Sequence, residues 1–488
     1  MKKAILAVVL VLVLILTIAT VRTMRLTSRQ MQVEPVTNIQ IDTTIVADHL
    51  ADTLRFRTVS YPDPSKTEYS EFDALHQYLK QTFPSVYSTL EYQTVGDYSL
   101  LFTWRGQKTE LKPVLLMGHI DVVPADAKNW THPPFSGAIA DGYIWGRGAL
   151  DDKSTVTGLL EAVEILTKQG FRPQRTVYFA FGHDEEIAGD KGAVQVATLL
   201  KTQGIQLEFV LDEGLAITEG IVPGAPKPVA LIGIAEKGFL TLELSVESVG
   251  GHSSAPPPHT TIGILSQAIT KLESHQLPSS ISGAAGEMLE ALGPEMSWTN
   301  KMVMANLWLF RPVLLSQLQK TPPGNSLVRT TTAVTMIQGG VKENVLPASA
   351  KATANFRIKP GETVESVTEH VRRTIDNPEV KITNPHGLAT NPTPVSSTES
   401  EAFRMLHKTV RQIFPETLVA PGLVTGGTDS RHYSNISKDT YRFAPFRIAK
   451  EDLVRFHGIN ERISVEDYGK MVEFYVQLLR NCAVNRQP

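Results

Sequence analysis

Five turns along the chain set imidazole or carboxylate groups close behind apolar runs or ahead of an amphipathic one. His119 and Asp121 follow Val114-Leu115-Leu116-Met117, Asp151 and Asp152 stand in GRGALDDK, and Glu185 and Glu186 follow TVYFAF in GHDEE. Asp212 and Glu213 follow FVL, and His457 lies far downstream in FHGINERI. Singly, each has a plain structural explanation. Paired acids ahead of a helix cap it and suit its dipole, Glu-Glu after a strand is commonly a solvated loop, and a lone His is more often a surface residue than a ligand. Jointly they weigh differently. Several acids converging in one cleft repel each other, and divalent cations remove that conflict. Cys482 is the only cysteine, so the chain can form neither an internal disulfide nor a Cys-based zinc site. Any metal must be held by His and carboxylates.

The elements that would position these groups are legible. VLLM (114–117), TVYFAF (176–181) and FVL (209–211) are short apolar runs, as expected of strands buried on both faces. Between the first two, Val156, Leu159, Leu160, Val163 and Leu166 recur at helical spacing. Strands alternating with helices predict a mostly parallel sheet with helices on its faces. Ligands gather at the carboxyl ends of such strands, which is where these turns fall.

Near residue 238 the pattern changes. TLELSVESV alternates like a half-exposed strand and TIGILSQAITKL (261–272) is amphipathic. TTAVTMIQGG and AKATANFRI read as two more exposed-face strands, and VESVTEHVRRTI as a second helix. Together they predict a small α+β domain inserted into the first. The division is then 1–40, an apolar anchor and tether; 41–237 and 384–488, the two parts of an α/β catalytic domain; and 238–383, the inserted lid. The Gly/Ser/Pro-punctuated stretch 275–327, inside the lid by this division, shows no readable role. A last helix starts at Ser464, with Asp467 three residues on as a capping box, and buries Tyr468, Met471, Val472, Tyr475, Leu478 and Leu479.

A length of 488 residues predicts two domains. With 47 basic against 50 acidic residues, the charge balance argues against nucleic-acid binding. Behind Lys2 and Lys3, residues 4–21 carry no charge, and roughly 18 apolar residues suffice to span a bilayer as a helix. We read an uncleaved signal anchor, single-pass, with residues 27–40 as a polar tether and the bulk of the protein outside the cytoplasm. A cleaved signal and a secreted protein is the alternative.

HIDVVP, WGRGALDDKS, FAFGHDEE, VLDEG, GGHSS, GGTDSR and FHGINE, in this order, resemble the motif set of the di-zinc metallopeptidases that include carboxypeptidase S, aminoacylase and glutamate carboxypeptidase. The match runs from about residue 45 to the C-terminus and is most similar to the carboxypeptidase S branch, which also contains an N-fatty-acyl amino acid hydrolase and synthase. The resemblance implies one metal held by His119, Asp151 and Asp212, and a second by Asp151, Glu186 and His457. Asp151 bridges, and the peptide after it is expected to be cis. Such ligands suit two Zn2+ per subunit, and Mn2+ or Co2+ fit the same set. Asp121 is expected to accept the other ring N–H of His119 and fix its tautomer.

The resemblance further implies Glu185 as general base and His252, in GGHSSAPP of the lid, as an oxyanion donor that often reaches into a neighbouring subunit's site. Arg357 and Arg431 are candidates for gripping a substrate carboxylate, although a structural salt bridge explains each equally well, and Asn344 resembles a substrate-contact position. The expected activity is cleavage of a C-terminal peptide bond or of an N-acyl amino acid amide, with a homodimer through the lid as partner. A fatty-acyl amino acid hydrolase or synthase, its acyl-chain length set within 275–327, is the nearest rival. A non-catalytic, metal-stabilised, membrane-tethered binding protein is another, but it would have no need of Glu185.

Overall fold

The computed structural model describes residues 1–385, 387 and 389–483. Its central sheet has eight strands in the order Glu91–Val95, Ser99–Trp104, Val177–Gly182, Val114–His119, Val210–Thr218, Thr440–Ile448, Val229–Glu236 and Leu418–Val424. The strand Val114–His119 runs parallel to both of its neighbours, and Thr440–Ile448 runs parallel to Val210–Thr218. The two strands at the Glu91 side are antiparallel additions. The expected α/β sheet, mostly parallel at its centre, is present. Register aligns the strand ends, because His119 pairs with Gly182 and Leu116 with Leu211. His119, the turn bearing Glu185, and Asp212-Glu213 inside strand Val210–Thr218 therefore lie near one level of the sheet.

Helix Lys153–Lys168 begins directly after Asp151-Asp152, and its predicted apolar positions, Val156 to Leu166, are all buried. Helix Val465–Ala483 packs beside it. At its start the Ser464 hydroxyl accepts the Asp467 N–H at 2.9 Å and donates to the Asp467 carboxylate at 2.6 Å. The six apolar side chains predicted for its inner face are buried.

A second, antiparallel sheet joins Thr331–Gly339, Ser349–Ile358, Gly238–Glu247 and Lys381–Thr383, with Ala389–Thr390 paired to the start of the third. Leu240, Leu242, Leu244 and Val246 alternate inward, as a one-faced strand requires, and meet Ile264, Leu265, Val367 and Val371 of helices Thr261–Ser274 and Val364–Ile375. This sheet and its two helices are the α+β unit read from the sequence.

Two stretches differ from expectation. Residues 275–327 enter the lid's hydrophobic core, among the described residues, only at Leu277. They form helices Ala284–Leu292, Trp298–Ala305, Leu307–Leu318 and, starting at Pro322, Pro322–Val328. Ala291, Leu292 and Met296 pack on Val229, Leu418 and Ala420. The cause is the edge strand Leu418–Val424, whose seven residues are all buried and which needs cover on an exposed edge of the large sheet. Residues 27–40 are likewise no free tether. The Gln30 side chain bonds both main-chain groups of Val419, Val36 donates to the Gln412 carbonyl, and Val36 and Ile39 pack on the main core. Ahead of them, helix Lys2–Arg25 stands almost uncovered and is long and apolar enough to cross a membrane.

Candidate metal centre

His119 ends its strand with its ring 1% exposed. Nδ1 donates to the main-chain carbonyl of Asp121 at 2.9 Å, which leaves Nε2, 3.0 Å from Asp151 Oδ1, as the nitrogen available to a cation. The expected tautomer control is thus present, but the nearer acceptor is the Asp121 carbonyl. The Asp121 carboxylate lies at 3.4 Å from Nδ1 and accepts the N–H groups of Glu185 (3.1 Å) and Glu186 (3.2 Å) and the Ser60 hydroxyl (2.6 Å). Asp121 therefore holds the Glu185-Glu186 turn and the His119 ring at once, because its carbonyl and its side chain serve different partners.

The Asp151–Asp152 peptide is cis, as expected. The two Asp151 oxygens face different imidazoles: Oδ1 lies 3.0 Å from His119 Nε2, and Oδ2 lies 3.1 Å from His457 Nε2. Glu186 Oε1 approaches the same His457 nitrogen at 3.2 Å. The Asp152 carboxylate accepts the His119 N–H at 3.2 Å, and a Cβ on residue 118 would come within 2.7 Å of it, so Gly118 is required there.

Asp212 departs from its expected role. Its carboxylate accepts the N–H groups of Ser430 (2.8 Å) and Glu213 (3.0 Å). The carboxylate brought within ligand distance of His119 and Asp151 is Glu213. Two groupings of metal-ligand geometry share Asp151, namely His119–Asp151–Glu213 and Asp151–Glu186–His457, and Glu185 lies beside His119 and Glu186. Adjacent acids within a strand point to opposite faces, and both lie inside Val210–Thr218, so a one-residue choice decides which enters the cleft.

Burial pushes the carboxyls of Glu185 and Glu213 well above their usual range, and those of Glu186 and Asp212 upward, with neighbouring acids adding to each. His457 is pushed up to about 10 by its bonds to Asp151 and Glu186. Acids that repel in a buried cleft and imidazoles drawn to one shared carboxylate make a donor set that fits divalent cations.

Three residues outside the reading of the sequence support this set. Glu461 is fully buried, accepts the N–H groups of Gly148, Leu150 and Asp151, and pairs with Arg147 at 2.6 Å. Arg147 also donates to the His457 carbonyl at 3.1 Å, so the pair fixes two candidate ligands together. Asp429 is buried, and neither carboxylate oxygen has a partner among the described residues. Gly182 and Gly189 lie against it, where a Cβ would come within 2.6 Å and 2.2 Å of its oxygens. Asp429 and Glu461 stand within GGTDSR and FHGINER, so their place in those stretches was the available signal.

The remaining expected residues fall into two places. His252 and Asn344 come together on an exposed corner of the lid, where Gly251-His252 pairs with Val345-Leu346 and Ser253 donates to the Asn344 carbonyl. Among the described residues, no hydrogen bond or ion pair joins either to the metal cluster. Arg357 lies half-buried over the Phe239 ring at 5.0 Å. Burial and then the charge of Arg431 push its guanidinium down. Neither has a carboxylate partner among the described residues, which removes the salt-bridge reading. Arg431 donates to the Ala188 carbonyl, immediately past the Glu185–Ile187 turn.

Acids and imidazoles gathered in one cluster on an α/β sheet define a metal-dependent hydrolase. The chain belongs to the Peptidase family M20/M25/M40, whose pattern matches residues 115–481, and is an enzyme of the metallopeptidase and amidohydrolase type. It is 43% identical over 470 residues to the probable carboxypeptidase S-like 2 of Dictyostelium discoideum, covering 94% of this chain and 90% of the relative. It is 44% identical over 449 residues to the N-fatty-acyl-amino acid synthase/hydrolase PM20D1.1 of Danio rerio, covering 90% and 86%. In fold it is similar to the M20 family metallo-carboxypeptidase Sso-CP2 from Sulfolobus solfataricus (TM-score 0.64, 19% identity, 91% of this chain and 100% of the other).

Proposed function

We propose that this enzyme hydrolyses an amide bond next to a free carboxylate with two zinc ions, one held by His119, Asp151 and Glu213 and the other by Asp151, Glu186 and His457. The observation that carries the reading is Asp151, with one carboxylate oxygen 3.0 Å from His119 and the other 3.1 Å from His457. When bound, the cations supply positive charge that polarises a carbonyl and acidifies water. Glu185, beside His119 and Glu186, accepts a proton from the attacking water and returns it to the leaving nitrogen. Arg357 and Arg431 grip the substrate carboxylate as a pair of cations without a protein anion between them. His252 and Asn344, exposed on the lid, act on a partner subunit's site in a lid-mediated homodimer.

Zinc-loaded enzyme offered a panel of blocked dipeptides and N-acyl amino acids tests this. Cleavage is expected only of compounds with a free carboxylate, and equal turnover of their C-terminal amides overturns it. A second reading, an N-fatty-acyl amino acid hydrolase or synthase, is supported by the name of the Danio rerio relative, and the same panel tests it through acyl-chain length. We further propose that helix Lys2–Arg25 is a retained membrane anchor with the catalytic part outside the cytoplasm. Its Ala19 and Thr23 are buried against the folded body. The Asn306 side chain, itself fully buried, donates to the Ala19 carbonyl at 3.0 Å and lies 3.3 Å from the Thr23 hydroxyl. Removing those residues would leave the Asn306 amide with the Met302 carbonyl, at 2.9 Å, as its remaining acceptor. Secretion after cleavage is the alternative, and the mature N-terminus decides between them.

A further inference from the structure

Helix Leu307–Leu318 has only Arg311, Ser316 and Gln317 as polar residues, and none of its residues is buried. Leu314, Leu315 and Leu318 lean on the small cluster of Ile281, Leu289 and Val328. On its other side Trp308, Leu309 and Val313 are 53%, 39% and 59% exposed, and Trp298 on the preceding helix is 50% exposed. A large apolar helix face belongs in a protein core or in lipid, and the face of Trp308, Leu309 and Val313 has no protein over it among the described residues.

Its position names the occupant. The preceding helix, Trp298–Ala305, packs on helix Lys2–Arg25. Asn306, where the helix Leu307–Leu318 starts, holds Ala19 and lies against Thr23 through its amide, and its Oδ1 accepts the Trp308 indole N–H at 3.2 Å. Arg22 donates to the Ala305 carbonyl. Residues 2–18 rise about 26 Å in helical geometry, close to the ~30 Å hydrocarbon layer of a bilayer. If that segment spans, the water–lipid boundary falls at Ala19 to Thr23, the level at which Asn306 and Trp308 sit. Tryptophan favours this boundary. Arg25, Lys301 and Arg311 lie near the same junction, and none forms an ion pair among the described residues, leaving basic charge for anionic headgroups.

We propose that helix Leu307–Leu318 lies on the outer face of the bilayer as a second, interfacial contact, with Trp308, Leu309 and Val313 in the lipid. This rests on the proposed anchor for its geometry, and the test separates the two. Full-length protein is prepared with one added cysteine at a time, Val313→Cys, Val13→Cys or Glu399→Cys. The native Cys482 is buried, its thiol pushed up to about 12, and it stays unlabelled. Each variant carries a nitroxide and is reconstituted into phosphatidylcholine vesicles containing a minority of phosphatidylglycerol, and collision with oxygen is compared with collision with a water-soluble nickel chelate. The label at 313 is expected to favour oxygen, as at 13, while the label at 399 favours the chelate. A label at 313 that behaves like the one at 399 overturns the interfacial contact, whatever the one at 13 shows. A label at 13 in water overturns the anchor alone, and a label at 313 still in lipid then leaves this contact standing.

Discussion

Glu461 Oε1 accepts the main-chain N–H of Asp151 at 3.1 Å, the residue whose two oxygens reach both candidate histidines. A fully buried carboxylate thereby holds the shared ligand by its backbone while its other oxygen is clamped by Arg147 at 2.6 Å. Glu461→Gln removes the charge that Arg147 requires and offers an amide where three N–H groups need acceptors. Breaking one partner of a buried pair costs about 3–5 kcal/mol, and loss of an outer partner costs about 10- to 100-fold in metal affinity. Thermal unfolding and zinc titration of the variant should show both losses. A variant with wild-type zinc affinity would mean that Glu461 serves folding alone.

Asp212 and Glu213 are predicted to separate. Glu213→Gln should lose zinc from the purified enzyme, whereas Asp212→Asn should retain most of it and disturb instead the Ser430 N–H that Asp212 accepts at 2.8 Å. Bound metal counted on both variants decides the assignment, and the reverse pattern restores Asp212 as the ligand.

Both acids were visible in VLDEG, but their order of use was not. The alternation of a strand assigns them to opposite faces, and the register that fixes which face looks into the cleft is a property of the neighbouring strands. The same limit applies to Asp121. Its spacing from His119 announced a tautomer contact, yet its carbonyl is the nearer acceptor and its carboxylate serves Glu185 and Glu186 from across the sheet end. What was legible was whatever repeats locally: the apolar strands, the helix of Val156 to Leu166, the cap at Ser464 and the alternating lid strands. The insert 275–327 was opaque because its helices answer to a distant edge strand, Leu418–Val424. Arg147 and Glu461 act through partners hundreds of residues away, and for Asp429 and Glu461 the only local signal was their place within GGTDSR and FHGINER.

Arg357 and Arg431 should control KM. Arg357→Ala or Arg431→Ala is expected to raise KM for a free-carboxylate substrate about 10- to 100-fold, the size of a charged hydrogen bond of about 1.5–3 kcal/mol. kcat should change less. Steady-state kinetics on the two variants provides the check, and an unchanged KM in both removes the pair from recognition.

His407 should make stability depend on pH. Burial, followed by the charge of Arg411, pushes its imidazole down to about 4, and its Nε2 accepts the Met31 N–H at 3.2 Å. The folded state therefore keeps it neutral, while the unfolded chain takes up the proton below about pH 6.5. Its contribution is full above that value and is lost as pH falls toward 4. Between pH 7 and pH 5 the wild type should lose about 2 kcal/mol more than His407→Gln, which keeps an acceptor but does not titrate. Denaturant unfolding of both proteins at the two pH values measures the difference, and parallel losses would contradict it.

The central claim is that Glu185 moves a proton while its neighbour Glu186 holds a metal, and it is tested most directly by measuring bound zinc and kcat together on Glu185→Gln and Glu186→Gln. Glu185→Gln keeps the shape of the side chain but cannot accept a proton, so zinc should stay near wild type while kcat falls about 10²- to 10⁴-fold. Glu186→Gln should lose zinc and activity together, and added zinc should restore part of the activity. Loss of zinc from Glu185→Gln with retention in Glu186→Gln would reverse the two roles, and full activity in both would contradict the hydrolytic mechanism itself.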